Sequence, residues 1–165
     1  WLASHGHEVI GVELSSLAVD SFFREQQSEP TITAKGELTA YRAANIEILV
    51  GDFFDVTTDI LGTIHAIYDR AALVALPLTM RHRYTKHLMD ITGNARQLLI
   101  NYEYDPSLME GPPFSISDKE IIQHYGTCYD ISLLKSQEVE SKLKGNKATE
   151  KIWLLKKTII RVEKN

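Results

Sequence analysis

Cysteine is almost absent from this sequence, as are the features that mark exported, membrane-spanning or nucleic-acid-binding chains. Cys128 is the single cysteine, so no disulfide can form within the chain, which is typical of a reducing compartment. No apolar run reaches the roughly 18 residues of a membrane span, and no signal segment is visible. The formal net charge of −4 gives no general basic footprint for nucleic acid. We predict a cytoplasmic protein with neither a membrane nor a nucleic-acid partner.

Several motifs of catalysis and metal binding are missing as well. The chain has no P-loop and no G-x-S-x-G nucleophile turn. Its histidines form no metal pattern, because His82 and His87 lack the i, i+4 spacing of a helical zinc site. We therefore expect no metal. The glycine-rich turn that precedes a nucleotide-binding strand is also absent, and WLASHG is typical of a last helical turn closed by Gly6. We expect the chain to be cut at its N-terminus.

The apolar residues follow strand and helix periodicities in alternation. HEVIGVEL is a nearly continuous apolar run, as in a strand covered on both faces. Strands are predicted at residues 7–14, 39–43, 46–52, 65–70, 96–104, 128–136 and 150–162. The second and third are joined at Ala44-Asn45 and are expected to form a hairpin or a strand addition. A polar loop between Pro30 and Gly36 precedes them. Alternation of strands and helices predicts an α/β fold with a mostly parallel sheet, and the last two strands predict an antiparallel closing hairpin. We expect one domain over residues 1–165.

Three helices are predicted between these strands. Ser15 or Ser16 caps the first, whose apolar side chains at helical spacing are Leu14, Leu17, Ala18 and Phe22. The second follows Pro77, ends at Gly93 and has its apolar face at Met80, Tyr84, Leu88 and Ile91. The third opens with the S-x-x-E capping box of Ser117 and Glu120 and runs through Tyr125.

Polar or aromatic residues follow four strands at their carboxyl ends, where an open α/β sheet binds its ligands. Glu13 could accept hydrogen bonds from both hydroxyls of a ribose. Alternatively, it could simply end a strand, with its negative charge interacting favourably with the dipole of the next helix. Asp52 and Phe53 suit an adenine amine and base face, although GDFFD is also a common turn. Asp69-Arg70 is either a functional pair or a surface pair worth little energetically. The fourth end is residues 102–105.

Four motifs in order along the chain resemble the thiopurine S-methyltransferase family. They are GVELS, YDRAALVAL, YDP followed by GPPF, and EKIWLLKK, and they cover the chain from Gly11 to about Lys157. The resemblance implies a class I methyltransferase (Rossmann-like) fold whose sheet ends in an antiparallel hairpin. It also implies S-adenosylmethionine as cofactor and a small-molecule aromatic or heterocyclic thiol as substrate, with selenium and tellurium compounds as further candidates. The complete enzyme is expected to be a monomer.

The resemblance assigns roles to residues of this sequence. Glu13 matches the acid that holds the cofactor ribose, with Leu14 beside it at the same site, and Asp52 and Phe53 match the pair beside the adenine. Arg70 matches an arginine near the cofactor's methyl group and the substrate, so it is expected to bind both and to be the catalytic residue.

The loop that follows the strand at 96–104 resembles the wall of the family's substrate pocket. Its matching residues are Tyr104, Pro112, Pro113 and Phe114, an aromatic lining that suits a flat apolar acceptor.

The sequence departs from the family pattern in three ways. The family's first strand, glycine loop and aromatic N-terminal lid have no counterpart here. No arginine lies between Arg96 and Arg161, where the family often has one near the substrate, and Lys142 or Lys144 could replace its charge but not its bidentate geometry. Ala71 stands where relatives tend to have glycine.

Two other functions stay open. The chain could be a non-catalytic fragment of such an enzyme, or it could be an NAD-binding oxidoreductase, since NAD ribose is held by the same kind of acid.

Overall fold

The computed structural model describes residues 1–139 and 143–158. The chain splits into two compact units, the first being Trp1–Gly62 and the second beginning at Thr63. A single domain over residues 1–165 stays a prediction. In the described part of the chain, no helix is both long and apolar enough to cross a membrane.

The first unit is built on a four-stranded sheet with the order β1-β4-β3-β2. Its strands are β1 (Val9–Glu13), β2 (Thr31–Lys35), β3 (Leu38–Ala43) and β4 (Ile46–Val50), and its helices are α1 (Ser16–Glu25) and α2 (Thr58–Leu61). β1 and β4 are parallel, whereas β3 is antiparallel to both of its neighbours. The predicted hairpin at Ala44-Asn45 is confirmed, because Ala43 pairs with Ile46 across a tight turn. Ala44 adopts the positive φ of 50° that such a turn uses.

The predicted polar loop before this hairpin is wrong. Thr31–Lys35 forms strand β2, and Lys35 pairs with Leu38 across a turn at Gly36, whose φ is +66°. Residues 31–34 are all exposed, so the segment has none of the apolar alternation that marks a half-buried strand. Backbone pairing at the sheet edge, together with β-branched Thr31, Ile32 and Thr33, accounts for the strand.

Helix α1 begins as predicted but buries a different face. The Ser15 hydroxyl accepts a hydrogen bond from the Ala18 amide, which caps the helix. Val19 and Phe23 are its buried residues, and the Phe23 ring stacks on Tyr41 of β3 with 6.4 Å between centroids. Leu14 and Leu17, expected on the buried face, are each 76% exposed. The sheet therefore selects the i, i+4 pair that starts one turn into the helix.

The second unit contains another four-stranded sheet, with the order β5-β6-β8-β7. Its strands are β5 (Ala66–Arg70), β6 (Arg96–Glu103), β7 (Tyr129–Glu138) and β8 (Thr149–Lys157), and its helices are α3 (Leu78–Thr92) and α4 (Asp118–Tyr125). β8 lies between β6 and β7 and is antiparallel to both, which confirms the closing hairpin. The predicted continuation of the last strand at 159–162 lies outside the described residues. Among the described strands, the parallel pairs are β1–β4 and β5–β6, so both sheets are mixed.

The two long helices of this unit form where the sequence predicts them. Tyr84, Leu88 and Ile91 of α3 are buried, and Gly93 closes the helix with a φ of 61°. Met80 is 41% exposed, and the buried position on this face belongs instead to the neighbouring Arg81, which is 5% exposed. This exchange matters for the site described below.

Helix α4 starts at the predicted capping box. The Ser117 hydroxyl accepts from the Glu120 amide at 3.3 Å. The Glu120 side chain, however, bonds to Arg81 of α3 rather than supplying the return bond of the box.

A buried polar bridge attaches the segment before α4 to the middle of the sheet. Asn101 of β6 donates to the carbonyl of Ile116 at 2.7 Å and accepts from the Trp153 indole of β8 at 2.7 Å. Asn101 and Ile116 are fully buried, so these bonds satisfy groups that water does not reach. The bridge holds the loop that contains Pro113 and Phe114 against the end of β6.

Candidate active site

In the first unit, the predicted cofactor residues meet at the carboxyl ends of β1 and β4. Glu13 pairs with Val50 in the parallel ladder, and its carbonyl accepts the Gly51 amide at 3.0 Å. Asp52 and Phe53 follow immediately. The ladder thus brings Glu13 beside the turn that carries Asp52 and Phe53.

Each of the two carboxylates in this cluster is oriented by a backbone amide two residues further on. Glu13 Oε1 accepts from the Ser15 amide and Asp52 Oδ1 from the Phe54 amide, both at 2.9 Å. Within the described residues neither side chain makes another hydrogen bond, and both are exposed. Each therefore keeps one oriented oxygen for a ligand hydroxyl or amine.

Two apolar residues flank these carboxylates. Leu14 is largely exposed directly after β1. The half-buried Phe53 ring meets Phe54 edge to face, with centroids 5.7 Å apart. The cluster thus combines oriented acceptors with an aromatic surface.

In the second unit, Arg70 ends β5 with its side chain exposed. It pairs with Ile100 of β6, two residues before Tyr102. Burial raises the pKa of the Tyr102 phenol, the carboxylate of Glu150 raises it further, and the guanidinium of Arg70 lowers it. Arg70 therefore lies beside Tyr102 and Glu150, where β5, β6 and β8 present their ends.

Asp69 and Arg70 do not form the surface pair that was one alternative for this dipeptide. Asp69 is 2% exposed and accepts the Leu73 amide at 3.2 Å and the Tyr84 hydroxyl at 3.0 Å. Burial raises the pKa of the Asp69 carboxyl, although these hydrogen bonds oppose the shift. Asp69 thus organises the turn after β5. Its carboxylate is turned away from Arg70 and does not neutralise the guanidinium.

The predicted substrate wall lines an open cleft of about 510 Å³ in the second unit. Tyr104 and Phe114 both line it, and the Tyr104 hydroxyl donates to the Pro113 carbonyl at 2.7 Å. Phe114 is fixed from the other side, because its amide donates to the Val74 carbonyl at 2.6 Å. Pro113, its neighbour Pro112 and Arg70, which were also expected at the substrate, are not among the lining residues.

The remainder of the cleft wall is apolar, charged or hydroxylated. These lining residues are Leu78, Arg81, Glu103, Pro106, Met109, Glu110, Ser115, Ser117 and Glu120.

The ion pair between Arg81 and Glu120 was missed from the sequence. Arg81 Nε donates to Glu120 Oε1 at 2.6 Å, its Nη2 to Oε2 at 3.3 Å, and its Nη1 to the Leu76 carbonyl at 2.9 Å. The guanidinium also lies 5.8 Å from the centroid of the Phe114 ring. A signal was available, since Arg81 precedes Tyr84 and Leu88 at i+3 and i+7 and so shares their buried face.

Two lysines approach the same region. Lys151 of β8 binds Glu103, and it binds Asp118 at 2.5 Å. Burial alone would lower the pKa of the Lys151 ammonium, but these two carboxylates raise it. Lys144 donates to the Pro112 carbonyl at 2.6 Å, next to the cleft wall. Lys142, the alternative basic residue, lies outside the described residues.

Metal-binding side chains do not cluster in the part of the chain that the structure describes. No group of three or more histidine, cysteine, aspartate or glutamate side chains there could hold a metal ion.

Comparison with known proteins identifies the family. The family model described as thiopurine S-methyltransferase matches residues 1–164. The thiopurine S-methyltransferase of Teredinibacter turnerae is 46% identical over 160 residues, which are 96% of this chain and 75% of that protein. That of Pseudomonas fluorescens (strain Pf0-1) is 45% identical over 139 residues, 84% of this chain. The match spans only 64% of the length of that protein.

A solved structure has the same fold. It is the 1,6-didemethyltoxoflavin-N1-methyltransferase of Burkholderia thailandensis, with bound 1,6-didemethyltoxoflavin and S-adenosylhomocysteine. The TM-score is 0.58 at 12% identity, over 94% of this chain and 64% of that one. This similarity confirms the predicted class I methyltransferase fold, and the family match confirms the resemblance seen in the motifs. The chain belongs to the thiopurine S-methyltransferase family.

Proposed function

We propose that this chain takes part in S-adenosylmethionine-dependent methyl transfer to the thiol of a small aromatic or heterocyclic molecule, or to a selenium or tellurium analogue. Family membership supports methyl transfer as the reaction. The observation that carries the assignment to this chain's own residues is the cluster of Glu13 and Asp52 at the ends of β1 and β4.

The residues of this cluster fit the adenosine part of the cofactor. One free, oriented carboxylate oxygen on Glu13 can accept from a ribose hydroxyl, and one on Asp52 can accept from the exocyclic amine of adenine. Phe53 and Leu14 offer apolar surface to the base. S-adenosylmethionine, when bound, supplies an activated methyl group on a sulfonium.

Arg70 is proposed as the catalytic residue. A thiolate is a far better nucleophile than a thiol, and a nearby cation lowers a thiol's pKa. Arg70 is suited to this role because its guanidinium stays charged at all working pH values, and because its neighbour Asp69 is turned into the core. The chain otherwise contributes positioning, through the walls of the cleft at Tyr104 and Phe114.

Calorimetric titration of the chain with S-adenosylhomocysteine and with NADH tests the cofactor assignment. We expect S-adenosylhomocysteine to bind and NADH not to bind, since NADH would indicate the oxidoreductase alternative. Glu13→Gln should weaken binding about tenfold, because it removes the charge that strengthens the ribose hydrogen bonds. Glu25→Gln, at the exposed end of α1, is the matched control and should leave affinity unchanged. Equal affinity in both variants would contradict the role of Glu13.

A further inference from the structure

The residues that line the 510 Å³ cleft carry more negative than positive charge, whereas an anionic ligand would require free positive charges or hydrogen-bond donors. Five lining residues are apolar or aromatic: Leu78, Tyr104, Pro106, Met109 and Phe114. Three others are carboxylates, Glu103, Glu110 and Glu120, and one is basic, Arg81. A flat apolar body is therefore accommodated, but any charged substituent on it meets a mostly acidic wall.

The basic residue of the cleft is already occupied by protein partners. Both oxygens of Glu120 and the Leu76 carbonyl accept from the Arg81 guanidinium. Arg81 is 5% exposed, and Phe114 covers it at 5.8 Å. A ligand anion would have to displace the bidentate carboxylate of Glu120 and reach a buried guanidinium, which is unfavourable.

Two of the three lining hydroxyl groups donate their protons to protein carbonyls. The Tyr104 hydroxyl donates to the Pro113 carbonyl, and the Ser115 hydroxyl donates to the Tyr104 carbonyl, both at 2.7 Å. The Ser117 hydroxyl caps α4 by accepting the Glu120 amide. The Tyr104 and Ser115 hydroxyls therefore offer no free proton to an anion, and within the described residues Ser117 is the one lining hydroxyl that keeps its proton available.

The carboxylates of the cleft are not neutralised to the same degree. Glu103 and Asp118 share the single ammonium of Lys151. Glu110 is exposed and has no ion-pair partner among the described residues. Three carboxylates and one guanidinium line the cleft, so its lining carries a net negative charge with Glu110 as the accessible carboxylate. Lys144, which donates to the Pro112 carbonyl, is a nearby cation outside this lining.

We propose that this cleft receives the body of the acceptor and selects an uncharged or cationic aromatic body over an anionic one, with Glu110 as the specificity-determining residue. The inference rests on the proposed function for its acceptor, but it concerns only the charge of the body that the cleft accepts. The reacting thiol is a separate group, for which Arg70 is proposed above.

Three para-substituted thiophenols of similar size test this selectivity: 4-methylthiophenol, 4-mercaptobenzoate and 4-(aminomethyl)thiophenol. Their S-methyl thioethers serve as unreactive binding probes, followed by amide chemical shifts of the chain at Met109 and Phe114. We expect the cationic probe to bind about threefold to tenfold more tightly than the anionic one, with the neutral probe between them. Raising the salt concentration should reduce the differences in affinity among the three probes, because salt screens the exposed charge of Glu110.

Substitution of Glu110 identifies the charge responsible. Glu110→Gln should bring the affinities of the cationic and anionic probes closer together, and Glu110→Lys should invert their order. Asp90→Asn is the control. It removes an exposed carboxylate on α3 about 13 Å along the helix from Arg81, and should leave the ranking unchanged.

The outcomes separate this inference from the proposed function. Equal affinities, a preference for the anionic probe, or shifts confined to residues outside the cleft would overturn the selectivity. Labelled-methyl assays with the three thiols report independently on the reaction. Absence of methyl transfer with the charge ranking intact would contradict the proposed function while supporting the selectivity of the cleft.

Discussion

Asp69 and Arg70 are adjacent in sequence but occupy opposite environments, and this contrast sets up the candidate catalytic group. Side chains alternate across a strand, so one residue of the pair faces the core and the other faces away from it. Asp69 bonds to the Leu73 amide and Tyr84 hydroxyl, while Arg70 lies near Tyr102 and Glu150. Burial of the carboxylate thus frees the guanidinium from the ion pair that the sequence alone would allow.

Removal of the Arg70 charge should affect turnover far more than cofactor affinity. Arg70→Ala is expected to lower kcat for thiol methylation about 30- to 100-fold, because the thiolate loses its nearby cation. The dissociation constant of S-adenosylhomocysteine should change less than about threefold. Arg70→Lys keeps the charge and should retain part of the activity. Equal losses in turnover and affinity would count against the assigned role.

Ala71 explains in physical terms why a glycine is expected at this position. Its φ is 71°, a left-handed conformation in which a Cβ is strained. Ala71→Gly should therefore raise the free energy of unfolding by about 0.5–1 kcal/mol.

The next residue provides the control for that prediction. Ala72 has a φ of −77°, in the right-handed helical region. Ala72→Gly should lower stability by about 0.5–1 kcal/mol, since glycine there only adds freedom to the unfolded chain. Urea unfolding of both variants measures the difference, and a loss of stability in both would refute the strain at Ala71.

At the scale of elements, Arg81 and Glu120 connect α3 and α4 beneath the cleft. The pair is bidentate, Arg81 is buried and Glu120 partly buried, and the guanidinium lies against the Phe114 ring. His124 lies 3.2 Å from Glu120 on the same helix, and its Nδ1 lies 3.4 Å from the Thr85 hydroxyl of α3, which adds a second contact between the two helices. We infer that this contact fixes the distance between the helices and so the position of the aromatic wall.

Breaking this contact should be costly, in contrast to an exposed pair on the same helix. Arg81→Met leaves the partly buried Glu120 without its arginine and should cost about 3 kcal/mol in unfolding free energy, the low end for a broken buried pair. Lys86→Met removes the exposed i, i+4 pair with Asp90 and should cost less than about 0.5 kcal/mol. The double variant Arg81→Met/Glu120→Leu should lose less than Arg81→Met alone. Similar losses for the buried and the exposed pair would contradict the buried role of Arg81.

His124 should make the α3–α4 contact sensitive to acid. Burial lowers the pKa of His124, and Arg81 and His82 lower it further, although Glu120 raises it. As pH falls, the histidine in the unfolded chain therefore takes up a proton before His124 in the folded chain does. The contribution of neutral His124 to folding stability is present above about pH 6.5 and is lost below it. Between about pH 7.5 and 5.5, the free energy of unfolding should depend less on pH in His124→Gln than in the wild type. The control His65→Gln, at an exposed histidine, should keep the wild-type slope; an unchanged slope in His124→Gln would refute the prediction.

At the scale of the whole molecule, the parts predicted correctly are those with a local physical signature. Three such features depend on a few neighbouring residues: the turn at Ala44-Asn45, the N-terminal cap of α4 at Ser117 and the C-terminal end of α3 at Gly93. The closing hairpin follows from two apolar runs with no helix between them. The meeting of Glu13 with Asp52 follows from parallel pairing, because adjacent parallel strands end at one edge of a sheet.

The parts that were not predicted depend on contacts distant in sequence. β2 is held by backbone pairing with β3 and not by its own apolar pattern. The burial of Arg81 needs Glu120, 39 residues away, to offset its charge. Ser115, Ser117 and Glu120 join Tyr104 in one cleft because the segment before α4 is held against β6, through Asn101 and through the bonds between Tyr104 and Ser115. No local periodicity encodes such pairings.

Transfer of a labelled methyl group from S-adenosylmethionine to an aromatic thiol tests the central claim most directly. The chain is incubated with labelled cofactor and 4-methylthiophenol, and the thioether is separated and counted, with binding of S-adenosylhomocysteine measured in parallel. The account predicts label in the thioether, reduced about 30- to 100-fold in Arg70→Ala at unchanged cofactor binding. No label in the thioether of any thiol or selenol tested, with cofactor binding intact, would contradict it.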